Sequence, residues 1–369
     1  MIMMTDSLRY KIALMLVPNV GSINGKKLVA YCGGVEAIFK EKKHTLLKIP
    51  GIGKSVVHAL RQRNTMERAD QELAFIDKHE ITPLFFLDSN YPKRLKQCVD
   101  GPLMLFYKGK CDLNQGRMLA VVGTRKPTDH GKNTCIRFIR DLAGPGLVII
   151  SGMAYGIDSV AHRTALENDM ESIGVLAHGL DIIYPAQNRD LAGRMLTQGG
   201  LLTEFFSQTN PDRENFPRRN RIVAGMSDAV LVVESAERGG ALITADIANS
   251  YNRDVFAVPG RLSDEYSAGC NYLIKSNKAA LVQSAEDINY LMGWDDKPDH
   301  PAAKQQKIVF DLSREEELIV EVLKQHGSLN IDQIFNLVQL GTSQLSSVLL
   351  SLEFKGAVRN LPGKVYKLN

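Results

Sequence analysis

No Cys-x-x-Cys pair occurs in the sequence, and the five cysteines, Cys32, Cys98, Cys111, Cys135 and Cys270, are odd in number and scattered. This argues against a disulfide framework and against a cysteine zinc site, and it points to a reducing compartment. Long hydrophobic runs are also missing. Residues 12–17 are apolar but far too short for a membrane span, and no cleavage-type small residues precede Pro18. The expected location is therefore the cytoplasm, with no membrane partner. A strong excess of one charge is lacking too: a net charge of +4 is too weak by itself to claim nucleic acid, so the placement of single arginines has to carry such a claim. Neither a G-x-G-x-x-G run with a following acidic residue nor a G-x-x-x-x-G-K-[ST] loop is present, which disfavours a dinucleotide cofactor and a Walker-type site. No Ser-His-Asp set or pair of catalytic carboxylates is recognisable. The expectation is a protein without a catalyst, a cofactor or a metal.

What is present is alternation. Apolar runs at 119–122, 147–150, 173–177, 201–203, 230–233 and 255–258 alternate with segments that can be helical, the signature of a doubly wound parallel sheet. An amphipathic helix over 65–80 and a strand over 81–86 precede them. In such sheets ligands sit at the carboxyl ends of the strands. One of those ends, LVIISGMAYGIDSVAH (147–162), reads as a buried strand, a glycine turn and a helix start. Free N–H groups at that helix start, with no Cβ on Gly152 or Gly156, predict an anion site. Asp158 and His162, at i and i+4, are expected to be structural, with Asp158 stabilising the helix start and orienting the imidazole.

The other strand ends carry Gly123-Thr124-Arg125, His178-Gly179, Arg238-Gly239-Gly240 and Pro259-Gly260-Arg261. Small residues and arginines on one edge suit a string of phosphates better than a single buried cofactor. The densest cluster is RENFPRRNR (213–221). Asn215 is expected to cap and Pro217 to open a helix, which puts Arg218, Arg219 and Arg221 in its first turns, where cations oppose the helix dipole unless an anion is bound. Arg218 and Arg221 share a face, with Phe216 beside them either as a stacking surface for a base or as core. The alternative for the arginines is pairing with Glu204, Asp212 or Glu214.

At the N-terminus two segments repeat at a spacing of 32: LMLVPNVG (14–21) and LLKIPGIG (46–53), each leading into a helix. Pro18 matches Pro50 and Gly21 matches Gly53, while Asn19 stands where the second copy has Gly51. This looks like a helix-hairpin-helix pair, in which hairpin amides meet a DNA phosphate without reading bases. Gly51, Gly53 and Lys54 are therefore secondary DNA-contact candidates, with Lys26 and Lys27 as added charges; packing on a neighbouring domain is the alternative. Residues 293–310 read as a linker. Beyond them, three helices, the first capped by Ser313, and a hairpin around Pro362-Gly363 resemble a winged helix. Its third helix, 342–354, carries no Lys or Arg, so it cannot neutralise phosphates. A protein-contact or packing role is expected there, against DNA contact through Lys355, Arg359, Lys364 and Lys367. The expected domains are 1–65, 66–292 and 311–369.

Six motifs then occur in order: SGMAYGIDSVAH (151–162), YPAQN (184–188), FPRRNR (216–221), TADIA (244–248), VFAVPG (255–260) and GCNYLI (269–274). Together they resemble the DNA-processing protein A family (DprA, or Smf). The resemblance implies an extended Rossmann fold that binds single-stranded DNA, forms a homodimer through that fold, protects incoming DNA and helps load RecA recombinase in natural transformation. It implies no enzymatic activity. It places Gly123, Thr124, Arg125, Ser151, Gly152, Phe216, Arg218, Arg219, Asn220, Arg221, Asn271 and Lys275 on the strand-binding edge. Ser276-Asn277 departs from the usual Gly-Ala and leaves the end of that helix open. Two alternatives stand beside this reading. A Rossmann-type nucleotide phosphoribohydrolase finds only Glu234 and Arg238-Gly239-Gly240 to support it, and a pure protein adaptor predicts no affinity for DNA or nucleotide.

Overall fold

The computed structural model describes residues 2–62, 64–294, 312–338, 340–361 and 364–368. They divide into two compact units, with the boundary after Trp294. The expected linker from residue 295 onward and the Pro362-Gly363 turn lie outside the described residues.

Each of the six apolar runs forms a parallel strand: β3 (Arg117–Val122), β4 (Leu147–Gly152), β5 (Glu171–Val175), β6 (Gly199–Thr203), β7 (Ala229–Val232) and β8 (Asp254–Ala257). Three further strands, β1 (Thr82–Phe85), β2 (Met104–Gly109) and β9 (Ala280–Leu281), extend the sheet to the order β1-β2-β6-β5-β4-β3-β7-β8-β9. Within this sheet only β2 runs against the others, pairing antiparallel with both β1 and β6. The successive strands β3 to β6 run outward on one side of β3, and the chain then returns to place β7 on its other side. That reversal is the switch point at which crevices open in doubly wound sheets.

The strands are apolar throughout because helices cover both faces. Leu119, Val121 and Ile149 share a core with Phe138 of helix α1 (Asp129–Asp141) and Ala161 of α2 (Ile157–Glu167). Their neighbours Ala120, Val122 and Ile150 point the other way, into a core with Ile222 of α3 (Asn215–Met226) and Ala245 of α4 (Gly240–Ser250).

The two N-terminal hairpins adopt matching backbones. Gly51 has φ +88° and Asn19 has φ +63°, so the asparagine fills the left-handed position that the second copy gives to glycine. This module shares its core with the antiparallel edge: Leu14, Leu28, Leu46 and Leu60 pack with Phe85, Met104 and Phe106.

The C-terminal unit has helices Arg314–His326, Ile331–Val338 and Thr342–Phe354 and a three-stranded sheet around Ile319, Leu323, Leu345 and Leu349. Ser313 caps the first helix in a box with Glu316. Hydrogen bonds from Lys355 and Ser351 to that carboxylate hold it down at about 2. Lys355, one of the candidate wing cations, is thus spent on its own fold.

Candidate nucleic-acid interface

A cleft of about 370 Å³ opens at the switch point. Gly123, Thr124 and Arg125 after β3, Gly152 at the end of β4 and Ala154 beyond it, and Ala236, Gly239 and Gly240 after β7 form its walls, with Phe216, Arg219 and Asn220 of α3. Helix α4 begins here with no side-chain cap, so its first turn is the amide-bearing, dipole-positive wall. Arg238-Gly239-Gly240 stood at a strand end in the sequence. That the turn after β7 faces the turn after β3 depends on the sheet order.

Two amides at the start of α2 are not free for the expected anion. The N–H of Ile157 donates to the carbonyl of Thr124 (3.2 Å), and that of Ala154 donates to the Asp158 carboxylate (3.4 Å). Nor do the missing Cβ atoms leave room for a phosphate. A Cβ on Gly156, whose φ is +82°, would stand 2.2 Å from the Thr124 carbonyl oxygen. One on Gly152 would stand 2.1 Å from Nη1 of Arg219 and 2.5 Å from Oδ2 of Asp158. Both glycines make space for the protein's own polar groups.

Those groups include two buried charges, Arg219 and Asp158, that feel one another without an ion pair or hydrogen bond between them. Arg219 is 5% exposed, donates from Nη1 to the carbonyl of Val175 (2.6 Å) and from Nε to Oδ1 of Asn220 (3.0 Å). Burial raises the Asp158 carboxyl above its ordinary range, and the charge of Arg219 works against that rise. Ser151 is fully buried, and its hydroxyl donates to the carbonyl of Val121 (2.6 Å).

His162 is oriented differently from expectation. Its Nε2–H donates to the carbonyl of Gly152 (2.6 Å) and its Nδ1 meets the hydroxyl of Ser172 (2.7 Å), with no hydrogen bond to Asp158. A carbonyl can only accept, so Nε2 carries a proton; burial pushes the ring down to about 4 against that hydrogen bond, and so keeps it neutral near pH 7. Between the ordinary 6.5 and about 4 the unfolded chain takes up a proton that the folded one refuses, so stability falls as pH falls through that window. The expected loss approaches 1.4 kcal/mol per pH unit at most. Urea midpoints measured from pH 7 to 4.5 check it: His162→Asn should flatten the slope, and an unchanged slope would assign it to other groups.

The arginine cluster divides in two. Arg125 is exposed and lies over the Phe216 ring at 5.0 Å, on the rim of the switch-point cleft. Phe216 is half-buried and belongs with Arg125 and Arg219, not with Arg218 and Arg221. Those two line a second cleft, of about 740 Å³, that includes Phe205, Phe206 and the hairpin residues Ser22 to Asn24. There Arg218 is exposed over Phe205 at 5.0 Å. Arg221 takes the pairing alternative, bound to Glu204 and to the Asp100 carbonyl. Asn215 is not a cap: it is the first helical residue, buried, donating to the carbonyl of Asn210 (3.1 Å).

Asn271 and Lys275 do not line the switch-point cleft. Asn271 clamps both the N–H and the carbonyl of Gly260, and Lys275 is exposed in the last turn of helix Ala268–Lys275. That helix ends with Asn277 at φ +54°, an asparagine again accepting the left-handed conformation. Gly51, Gly53 and Lys54 are exposed on the second hairpin, away from this cleft. Lys26 turns inward to the carbonyls of Cys98 and Val99. Glu234, which a phosphoribohydrolase would need free, gives both oxygens to Thr128 and is 7% exposed. Among the described residues no His, Cys, Asp and Glu group could hold a metal ion, and no helix is long and apolar enough to cross a membrane.

Residues 82–293 match the model of the family described as DNA recombination-mediator protein A, and residues 300–364 match that of the DprA winged helix domain. Protein Smf of Synechocystis is 32% identical over 393 aligned positions, covering 97% of this chain and 98% of its own. DNA processing protein DprA of Bacillus subtilis is 41% identical over 217 residues, covering 58% of this chain and 73% of its own. The X-ray structure of DprA from Streptococcus pneumoniae superposes with a TM-score of 0.66 at 34% identity, over 76% of this chain and 97% of that one. A Helicobacter pylori DprA structure, described as giving insight into a single-stranded DNA binding mode, reaches a TM-score of 0.53 at 29% identity, over 58% of this chain and 97% of that one. With its fold, its six ordered motifs and a relative matched end to end, the chain belongs to the DNA recombination-mediator protein A family.

Proposed function

We propose that this protein binds single-stranded DNA across the carboxyl edge of its large sheet, protects it, and helps load RecA recombinase onto it during natural transformation, acting in the cytoplasm as a homodimer joined through the Rossmann unit and without catalysing a reaction. The observation that carries the binding step is the switch-point cleft: exposed Arg125 laid on Phe216, buried Arg219 behind it, and the uncapped start of α4 opposite. These groups hold a phosphate backbone and offer flat surfaces to bases without selecting among them. The Helicobacter relative, described as binding single-stranded DNA, supports the same reading. The RecA step and the dimer rest on the family resemblance. The recombinase step is tested by RecA's DNA-dependent ATP hydrolysis on a single strand coated beforehand with single-strand-binding protein. Adding this chain should shorten the lag severalfold; an unchanged lag at saturating protein would remove loading from the account.

A further inference from the structure

Phe216 is the aromatic residue that the sequence offers to a base, yet its ring is half-buried and Arg125 lies over it at 5.0 Å. Accessible aromatic surface stands beside it instead. Tyr184, in the loop after β5, has its ring centroid 6.3 Å from that of Phe216, tilted by 60°, and is 44% exposed. Tyr155, after β4, is 42% exposed, and its hydroxyl donates to Oε1 of Gln187 (2.6 Å), three residues from Tyr184. A tyrosine offers a rigid flat apolar face with a polar tip, and both of these lie beyond the same carboxyl edge.

From this placement we infer that Tyr184 and Tyr155 form a base-stacking platform. It continues the strand path from the switch-point cleft across the ends of β4 and β5, while Phe216 anchors Tyr184 and positions the Arg125 guanidinium. The inference rests on the single-strand reading above and adds its direction: from α4, past Arg125, toward the β5 side of the sheet. The ligand is a run of unpaired nucleotides, and their π faces are what the platform takes. Stacking on an aromatic side chain contributes about 1–3 kcal/mol per base and tolerates any sequence. The two tyrosines therefore widen the bound site without adding base preference.

The test uses the full chain, fluorescence anisotropy, an oligothymidine 20-mer and an abasic phosphodiester of equal length. Tyr184→Ala should raise Kd for oligothymidine roughly five- to hundredfold. Tyr184→Trp should restore binding, and affinity for the abasic strand should be the same in all three proteins. Equal oligothymidine binding by Tyr184→Ala and wild type would overturn the platform alone. Equal losses on the abasic strand would overturn it too, since the residue would then act through the backbone or the fold. If wild type binds neither strand, the single-strand reading falls and the platform with it.

Discussion

Arg219→Ala is expected to destabilise the N-terminal unit by about 1–3 kcal/mol, chiefly the cost of leaving a buried carbonyl without its charged donor. Three consequences arise at once. Asp158, 7% exposed, is left in the interior without its opposing charge; the carbonyl of Val175 loses a charged donor at 2.6 Å; and a cavity opens against the turn after β4. The double change Arg219→Met with Asp158→Asn should recover part of the loss, because no uncompensated charge then remains. Equilibrium urea unfolding checks both. A loss below about 1 kcal/mol for Arg219→Ala would mean that Asp158 is already neutral in the folded protein and that the carbonyl does not depend on the guanidinium.

The second large effect is on binding and leaves stability alone. Arg125 and Arg218 are exposed, each over an aromatic ring and on opposite sides of the start of α3. Surface changes of this kind move stability by no more than about 0.5 kcal/mol. If both guanidiniums meet phosphates, Arg125→Ala with Arg218→Ala removes roughly 3 kcal/mol of binding, on the order of a hundredfold in Kd. The salt dependence should change with it. For single strands the log-log slope is about −0.7 per phosphate neutralised, so the double variant should be shallower by about 1.4. An affinity loss with an unchanged slope would say that the arginines act on something other than phosphates.

The parallel strands were legible because burial on both faces leaves an unbroken apolar run, as in AVV (120–122) or LVII (147–150). Two strands were missed: β2, although its run MLFY (104–107) is buried on both faces between the sheet core and the N-terminal helices, and β9, which is two exposed residues long. The site was legible as a set of strand ends, but not in its division of labour. Nothing local in FPRRNR tells that Arg219 turns inward to Val175 and Asp158 while Arg218 faces Phe205, because those partners come from β5, α2 and the loop after β6. The same holds for Gly152. A glycine between strand and helix reads as a phosphate cradle, and only the tertiary structure reveals a guanidinium in the space. Tyr184 was present in the YPAQN motif, but its neighbourhood with Phe216 is a contact across 32 residues of chain.

The central claim, that the carboxyl edge of the sheet is where single-stranded DNA binds, is tested most directly by one anisotropy titration. Wild type and the Arg125→Ala, Arg218→Ala variant are each titrated with an oligothymidine strand and with the matching duplex at two salt concentrations. The account predicts that wild type prefers the single strand, that its affinity falls steeply with salt, and that the variant loses most of this affinity while unfolding at the same urea concentration. A variant that is equally stable and binds as tightly as wild type would contradict the claim and move the site away from this edge, to the exposed hairpin at Gly51, Gly53 and Lys54.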